Sequence, residues 1–477
     1  MLALIPLAED NGPLFRQVYL SFRDAILSGT LHAGEKLPST RDAAEQLGVS
    51  RTVVLLAYDQ LQAEGFVVGR GGSGTYVSHS ACARRPASTE YPVPLRLSRY
   101  GVSAADAWPR VSFPPQRTQR LRYDFAYGRS DLETFPFEMW RRTLLRCARK
   151  APVAELDYGP AVGSTALREA ICAHLRRSRA VNSDPSQVIV VNGSQQALDL
   201  VARVLIETGD SVAIEDPSYQ GTKEVLRAAG ARLIPVALDH DGLIPANLPR
   251  GARVAFVTPS HQFPTGATLP LTRRLALLEW ARRENAIVVE DDYDGEFRYD
   301  GRPLESLQGL DREGRVIYIG TFSRTVFSSL RIGYLIAPKG LLAAVSAAKW
   351  LSDRHTAKLE QQTLAEFISS GIYERYLRRS RRRNAARRQV LLDTIGDSFG
   401  SRVEVSGGGA GAHVVLWPKR RVSEEALIAG AASRGVGIYG ISPYFLNSPR
   451  RTGIMLGYSR MSEAEIREGI LRLAKVF

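Results

Sequence analysis

Cysteine is scarce in this chain of 477 residues, which holds three: Cys82, Cys147 and Cys172. Their separations match no metal-ligand spacing, and an odd count suits a reducing compartment better than a disulfide framework. Neither a metal site nor a disulfide scaffold is expected. Long apolar runs are missing too, so no segment reads as bilayer-spanning and no membrane partner is expected. The apolar stretch Met1–Ala8 is short and lacks a basic leader, so it does not read as a secretion signal. The cytoplasm is the expected location. No internal repeat is evident. What is present is ordinary for a soluble protein, with 44% hydrophobic and 23% charged residues. The length exceeds what one core usually organises, so two or more domains are expected.

Positive charge is abundant but unevenly placed. The formal net charge is +14, yet residues 1–80 carry six Arg or Lys against eight acids. The excess lies in residues 81–122, with eight Arg against two acids, and in Arg375–Arg388, with eight Arg in fourteen residues. Overall basicity therefore does not locate a nucleic-acid-binding segment; local pattern must. The arginine run at 375–388 falls on an expected helix and reads first as a solvated or dimer-facing surface. Its lesser reading is supplementary DNA contact, which would steepen the salt dependence of binding by roughly 0.9 per phosphate neutralised.

The first part of the chain is helical. Leu14, Val18, Phe22 and Ile26 recur at helix spacing. Ser39 or Thr40 caps a short helix that stops at Gly48, and Ser50 caps the next, which carries Val53, Val54, Ala57, Tyr58 and Leu61. Phe66–Val68 and Thr75–Val77 then read as strands around a glycine-rich tip, Gly69–Gly74. Two helices joined tightly and followed by a hairpin make a winged helix-turn-helix. The segment Leu37-Pro-Ser-Thr-Arg-Asp-Ala-Ala-Glu-Gln-Leu-Gly-Val-Ser-Arg-Thr-Val-Val, with Ala63-Glu-Gly-Phe-Val and Gly72-Ser-Gly-Thr-Tyr-Val, resembles the GntR class of winged helices. Ser50, Arg51 and Thr52 would present a helix N-terminus to groove and phosphates. An arginine there can fork onto a guanine edge for about 1–3 kcal/mol of discrimination. Arg41 is the second candidate reader, and Arg70, Gly72 and Gly74 are candidates on the wing. The expected partner is double-stranded operator DNA.

Residues 80–120 lose periodicity and are rich in Ala, Arg, Pro and Ser, which reads as a basic, proline-stiffened linker between a domain at 11–79 and another at 121–477. From about 121 strands alternate with helices. The strands are at Gln187–Val191, Ser211–Glu215, Arg232–Ala237, Arg253–Thr258, Ala286–Glu290, Val316–Ile319 and Ile332–Ala337. Buried strands interleaved with helices predict an α/β fold with a mostly parallel sheet. Asn192-Gly193-Ser194-Gln195-Gln196 joins a strand to a helix, where backbone amides can cradle a phosphate.

This second part resembles the fold-type I, aminotransferase-like domain of the MocR subgroup of GntR regulators, and the fusion itself is that subgroup's signature. The resemblance implies a domain-swapped homodimer that senses pyridoxal phosphate, or its adduct with an amine, as its small-molecule effector. It implies that Gly193, Ser194, Gln195, Thr321, Ser323 and Arg331 hold the phosphate and that Tyr219 stacks on the pyridine ring. Asp291 would pair with the ring nitrogen, Tyr293 would bond the ring hydroxyl, and Tyr158 would be lent by the partner subunit. A carboxylate facing that nitrogen keeps it protonated.

Three departures matter. The family's lysine position holds Arg324, in Ser323-Arg324. A guanidinium stays protonated and cannot condense with an aldehyde to form a Schiff base. Catalytic residues are therefore expected to be none, and binding is expected to be non-covalent, with Arg324 acting as a cation. The usual Asn-Pro-Thr-Gly reads Phe263-Pro264-Thr265-Gly266, and either His261 or Gln262 would replace the missing amide. Met455 stands at the position of the carboxylate-binding arginine; Arg450, Arg451 and Arg460 are near in sequence, none assignable. Two rival readings stay open: an active pyridoxal-phosphate aminotransferase with a vestigial helix-turn-helix, and a ligand-independent DNA-binding dimer.

Overall fold

The computed structural model describes residues 12–81, 96–111, 121–128, 130–153, 157–299, 301, 304–447 and 451–477. They fall into two compact units that divide between Arg96 and Leu97.

The first unit contains helices α1 (Leu14–Leu27), α2 (Thr40–Leu47) and α3 (Arg51–Ala63) and strands β1 (Val67–Arg70) and β2 (Gly74–Val77). Val18, Phe22 and Ile26 of α1 meet Val54, Ala57, Tyr58 and Leu61 of α3 in one apolar core, whereas Leu14, at the first residue of α1, is exposed. Ser39, not Thr40, caps α2 by accepting from the Asp42 amide, and Ser50 caps α3 by accepting from the Val53 amide. The turn between them needs a left-handed residue, and Gly48, at φ 66°, supplies it. The ladder runs from Val67 opposite Val77 to Arg70 opposite Gly74. The strands thus reach further than the sequence pattern suggests: Gly69, Arg70 and Gly74 lie in the ladder, leaving residues 71–73 as the tip. Lys36 bridges Tyr76 on the other side of β2.

The second unit begins with a helix that periodicity does not announce, α4 (Arg99–Ala107), capped by Ser98 and followed by a 3-10 turn over Trp108–Arg110. The expectation of an irregular stretch over 80–120 is corrected here; residues 82–95 and 112–120 lie outside the described residues. Helical spacing was hidden because Tyr100 and Val102 of α4 are exposed. The segment is held instead by a two-pronged ion pair, Arg110 Nε and Nη2 donating to Glu224 Oε1 and Oε2 at 3.3 and 3.0 Å.

The main sheet comprises β3 (Val188–Val191), β4 (Ser211–Asp216), β5 (Arg232–Asp239), β6 (Gly242–Leu243), β7 (Val254–Val257), β8 (Ile287–Asp292), β9 (Val316–Thr321) and β10 (Gly333–Ile336), in the order β3-β10-β9-β8-β7-β4-β5-β6. β5, β4, β7, β8 and β9 are mutually parallel, β10 runs against both its neighbours, and β6 folds back on β5. Strands β3 and β7 are buried at every residue, as a sheet covered on both faces requires. Helix α5 (Ser194–Leu205) follows β3, α6 (Gln220–Ala228) follows β4, and α7 (Leu271–Arg283) precedes β8. The carboxyl ends of β4, β8 and β9 therefore open at one edge, where α/β folds place ligands.

The 28-residue helix α8 (Ile372–Phe399) leads to a smaller antiparallel sheet of β11 (Val403–Ser406), β12 (His413–Pro418), β13 (Tyr439–Gly440) and β14 (Ile454–Gly457), ordered β11-β12-β14-β13. Half of the α8 arginine run is tied up internally. Arg381 bonds Glu296, Arg383 bonds Thr134, Arg387 bonds Asp131, and Arg388 bonds the Gly408 carbonyl. Arg375, Arg378, Arg379 and Arg382 are exposed.

Candidate functional site

The winged unit presents its candidate DNA contacts to solvent. Arg41, Ser50, Arg51 and Thr52 are all exposed. Arg51 Nε donates to Thr40 Oγ1 at 3.2 Å, which brings the starts of α2 and α3 together and sets Arg51 beside the turn that carries Arg41. The Ser50 hydroxyl accepts from the Val53 amide as the α3 cap and keeps its O–H to donate. On the wing the Arg70 guanidinium lies 4.7 Å from the Tyr76 ring centroid, and Tyr76 is bonded to Ser73 at 2.7 Å. Gly72 and Gly74 both have positive φ, at 73° and 117°. A side chain on Gly74 would come within 2.8 Å of the Lys36 stem.

In the second unit the candidate cup lies at the carboxyl strand ends. Asp291, on β8, is half-buried, and its buried Oδ1 atom has no hydrogen-bond partner among the described residues. Burial pushes this carboxyl up to about 7; Asp292 and Asp294 add to the shift, and the nearby Arg324 charge opposes it. A buried carboxylate oxygen without a donor is costly, and a cationic N–H is the group that would relieve it. Arg324 is half-buried, with its guanidinium 4.6 Å from the Tyr127 ring centroid. It makes no hydrogen bond or ion pair among the described residues. Its charge acts on Tyr219, Tyr293 and Tyr444 as well as Asp291, which places it centrally in the cup.

Arg331 takes a left-handed conformation, φ 53°, and its Nη2 donates to the Asn192 carbonyl at 2.9 Å. A side chain at Gly193, itself at φ 84°, would come within 2.6 Å of that guanidinium, so glycine is what permits the approach. Ser194 opens α5, beside this arginine, and offers its helix N-terminus. The Gln195 side chain turns elsewhere, donating to the Gly221 carbonyl at 3.3 Å. Thr321 Oγ1 accepts from the Ser323 amide, and the Ser323 carbonyl accepts from Ser130 Oγ. Tyr158 is 72% exposed and packs with Arg354 and His355.

Hydrogen bonding distinguishes the two side chains His261 and Gln262. Gln262 is fully used within the chain, with Nε2 donating to Glu215, Pro217 and Phe263 oxygens and Oε1 accepting twice from Thr265. His261 pairs through Nδ1 with Asp294 at 3.0 Å, while its buried Nε2 has no partner among the described residues. The Tyr293 hydroxyl is engaged by His261, at 3.0 Å from Nδ1 and 3.0 Å from the carbonyl oxygen. Three residues escaped sequence reasoning: Tyr127, Asp294 and His413. Asp294 stands two places after Asp292 in Asp291-Asp-Tyr-Asp294 and was legible there; lone Tyr and His give no such signal. His261, Asp294 and His413 are also close enough to hold a metal ion. Burial foremost, then His261, and then the positive charge of Arg324 depress His413, and that standing charge argues against a cation there. Met455 is buried in the apolar cluster around Phe263, Arg451 pairs with Glu404, Arg460 is exposed, and Arg450 lies outside the described residues.

The comparisons with known proteins agree with both units. The bacterial regulatory protein gntR family profile matches residues 14–77, and the aminotransferase class I and II profile matches residues 124–472. The chain is 39% identical to the probable rhizopine catabolism regulatory protein MocR of Rhizobium meliloti, over 98% of this chain and 94% of that one. It is 36% identical to the transcriptional regulator TauR of Rhodobacter capsulatus, over 98% and 96%. It is 31% identical to the pyridoxine biosynthesis transcriptional regulator PdxR of Corynebacterium glutamicum, over 98% and 97%. Among solved structures it is similar to the kynurenine aminotransferase of Pyrococcus horikoshii, with TM-score 0.69, 27% identity, and coverage of 80% of this chain and 94% of that one. It is also similar to LysN, the α-aminoadipate aminotransferase of Thermus thermophilus, with TM-score 0.70, 28% identity, and coverage of 80% and 98%. A gntR-type head joined to an aminotransferase fold-type I body, matched end to end by regulators of the same build, places this chain in the MocR subgroup of GntR-family transcription regulators.

Proposed function

We propose that this regulator is a cytoplasmic homodimer that binds operator DNA through Arg41, Arg51, Thr52, the amides at Ser50 and the Arg70–Gly74 wing. Its body, residues 121–477, holds pyridoxal phosphate or a related anion without a covalent bond and does not transaminate. The supporting observation is a pair of groups in one cup without hydrogen-bond partners among the described residues: the buried Asp291 Oδ1 and the half-buried Arg324 guanidinium, which lies against the Tyr127 ring.

The residues suit the cofactor at each point but one. Asp291 would hold the ring nitrogen and keep its proton. Tyr219 would cover the ring face. The α5 N-terminus at Gly193 and Ser194, with Arg331, would hold the phosphate, supported by Thr321 and Ser323. His261 Nε2, without a partner among the described residues, would meet the ring oxygen, and Tyr293, bonded to His261, positions it. Tyr158 would come from the partner subunit. Bound pyridoxal phosphate ordinarily supplies an electron sink. Here the amine that would link to it is replaced by Arg324, which supplies charge and no nucleophile.

The test is borohydride reduction of the purified chain loaded with pyridoxal phosphate, followed by peptide mapping. The wild type is expected to carry no label at position 324, and R324K is expected to acquire one there. Amino-group transfer by the wild type would overturn the proposal. So would a duplex of the regulator's own promoter region that is bound identically with and without pyridoxal phosphate.

A further inference from the structure

Helix α3 buries one face only. Val54, Ala57, Tyr58 and Leu61 recur at the spacing of one helical stripe and enter the core of the winged unit. Leu55 and Leu56 do not belong to that core, and they are 48% and 49% exposed. A single exposed leucine is common on any surface and needs no explanation. Here two stand side by side on a helix of thirteen residues, and both are turned toward water.

Their place on the helix gives the pair a context. Leu55 lies four residues beyond Arg51, and Leu56 four beyond Thr52. Each leucine therefore sits one turn further along the same face as a residue already set against the duplex. The exposed face also carries Asp59, and Arg51 is the only cation in the helix. Beyond its first turn this face has nothing with which to follow phosphates, which call for cations, and Asp59 repels them. It suits base edges instead. A leucine offers neither donor nor acceptor to the polar groups exposed in the major groove, where the apolar group that a base pair presents is the C5 methyl of thymine.

We propose that Leu55 and Leu56 read thymine: their side chains close on C5 methyl groups in the major groove. The operator then carries thymine within about two base pairs of the base that Arg51 contacts, because one helical turn advances about 5.4 Å and one base pair about 3.4 Å. The inference rests on the operator-binding reading above and adds which base the middle of α3 selects and which atoms select it.

The experiment uses the full chain and a duplex of its own promoter region, with pyridoxal phosphate both present and absent. Each thymine of the footprinted segment is replaced in turn by uracil, which lacks only the C5 methyl, and affinity is read by fluorescence anisotropy. The wild type is expected to lose about fourfold at one or two positions, as for one methyl group no longer withdrawn from water. L55A and L56A are each expected to weaken the all-thymine duplex by at least about fourfold. Each is also expected to bind its matching uracil duplex as well as the thymine one, the signature of a coupled pair. Melting temperatures of both variants are expected within about 2 °C of the wild type, since neither leucine is in the core.

Specific binding by the wild type with no sensitivity to uracil overturns the inference. So does uracil sensitivity that survives intact in the L55A/L56A double variant. A double variant that changes oligomeric state in sedimentation and leaves uracil sensitivity untouched assigns the face to a second copy of the chain and overturns it too. Failure of the underlying reading looks different: the wild type would bind its promoter no better than a shuffled duplex of the same composition, and both proposals would fall together.

Discussion

At the scale of single residues the cup is defined by Asp291 and Arg324. Asp291 in the folded chain sits at about 7, above its unfolded value of 3.8, because burial disfavours its charged form. A carboxyl raised on folding costs stability as pH climbs from about 4 to about 7, and the cost is complete above that. D291N is therefore expected to raise the melting temperature of the cofactor-free chain at pH 8 by about 2 °C or more and to leave it unchanged at pH 4. The same variant should weaken pyridoxal phosphate binding at least about tenfold, measured by fluorescence titration. Much of this residue scale was legible in the sequence. The motif order Gly193-Ser194, Tyr219, Asp291-Asp-Tyr293 and Ser323-Arg324 sits at strand ends as the pattern predicts, because strand termini are marked by local spacing. What the sequence did not disclose was the company each side chain keeps. Tyr127 beneath Arg324, and His413 beside His261, arrive from elements far apart in the chain, and nothing local marks them. Nor does any pattern show that Gln262 is wholly occupied and His261 is not.

At the scale of elements the helix caps were readable and the segment before the second unit was not. Ser50 caps α3 and the Ser hydroxyl meets the Val53 amide. S50A is expected to cost about 1 kcal/mol of stability, read from denaturant melts. R51A should weaken a specific duplex by about 1–3 kcal/mol and relax preference at one base position, seen by comparing single-base operator variants. Helix α4 lacked a legible period because its large apolar residues face solvent and a distant carboxylate, Glu224, holds the turn after it. The arginine run of α8 shows the converse: composition suggests a uniform basic face, while the fold divides it. R387A, which removes the bond to buried Asp131, is expected to lower the melting temperature by several degrees. R379A, on the exposed side, is expected to leave it within about 1 °C.

At the scale of the whole molecule, charge pairing joins distant elements of the second unit. Glu296 accepts from His174 and from Arg381, tying the helix Thr165–Arg179 and α8 to the loop after β8. Burial alone would raise Glu296, but these partners outweigh it and push it down to about 2. Burial likewise pulls His174 down, and Glu296 raises it above its ordinary value of 6.5. A histidine raised on folding stabilises fully below its unfolded pKa and loses that contribution as pH rises through the folded value. H174Q is therefore expected to lower the melting temperature more at pH 5.5 than at pH 9, as measured by scanning calorimetry. The two-unit organisation and the mostly parallel sheet were anticipated by composition and alternation, since buried strands and amphipathic helices carry their signals locally. These long-range pairs were not, because their members are separated by many tens of residues. One consequence reaches into the cell. With Arg381, Arg383, Arg387 and Arg388 committed inside the body, those four are not available to displace potassium from a duplex. Promoter occupancy should therefore fall less steeply through an osmotic upshift than a count of all eight arginines of that run would imply.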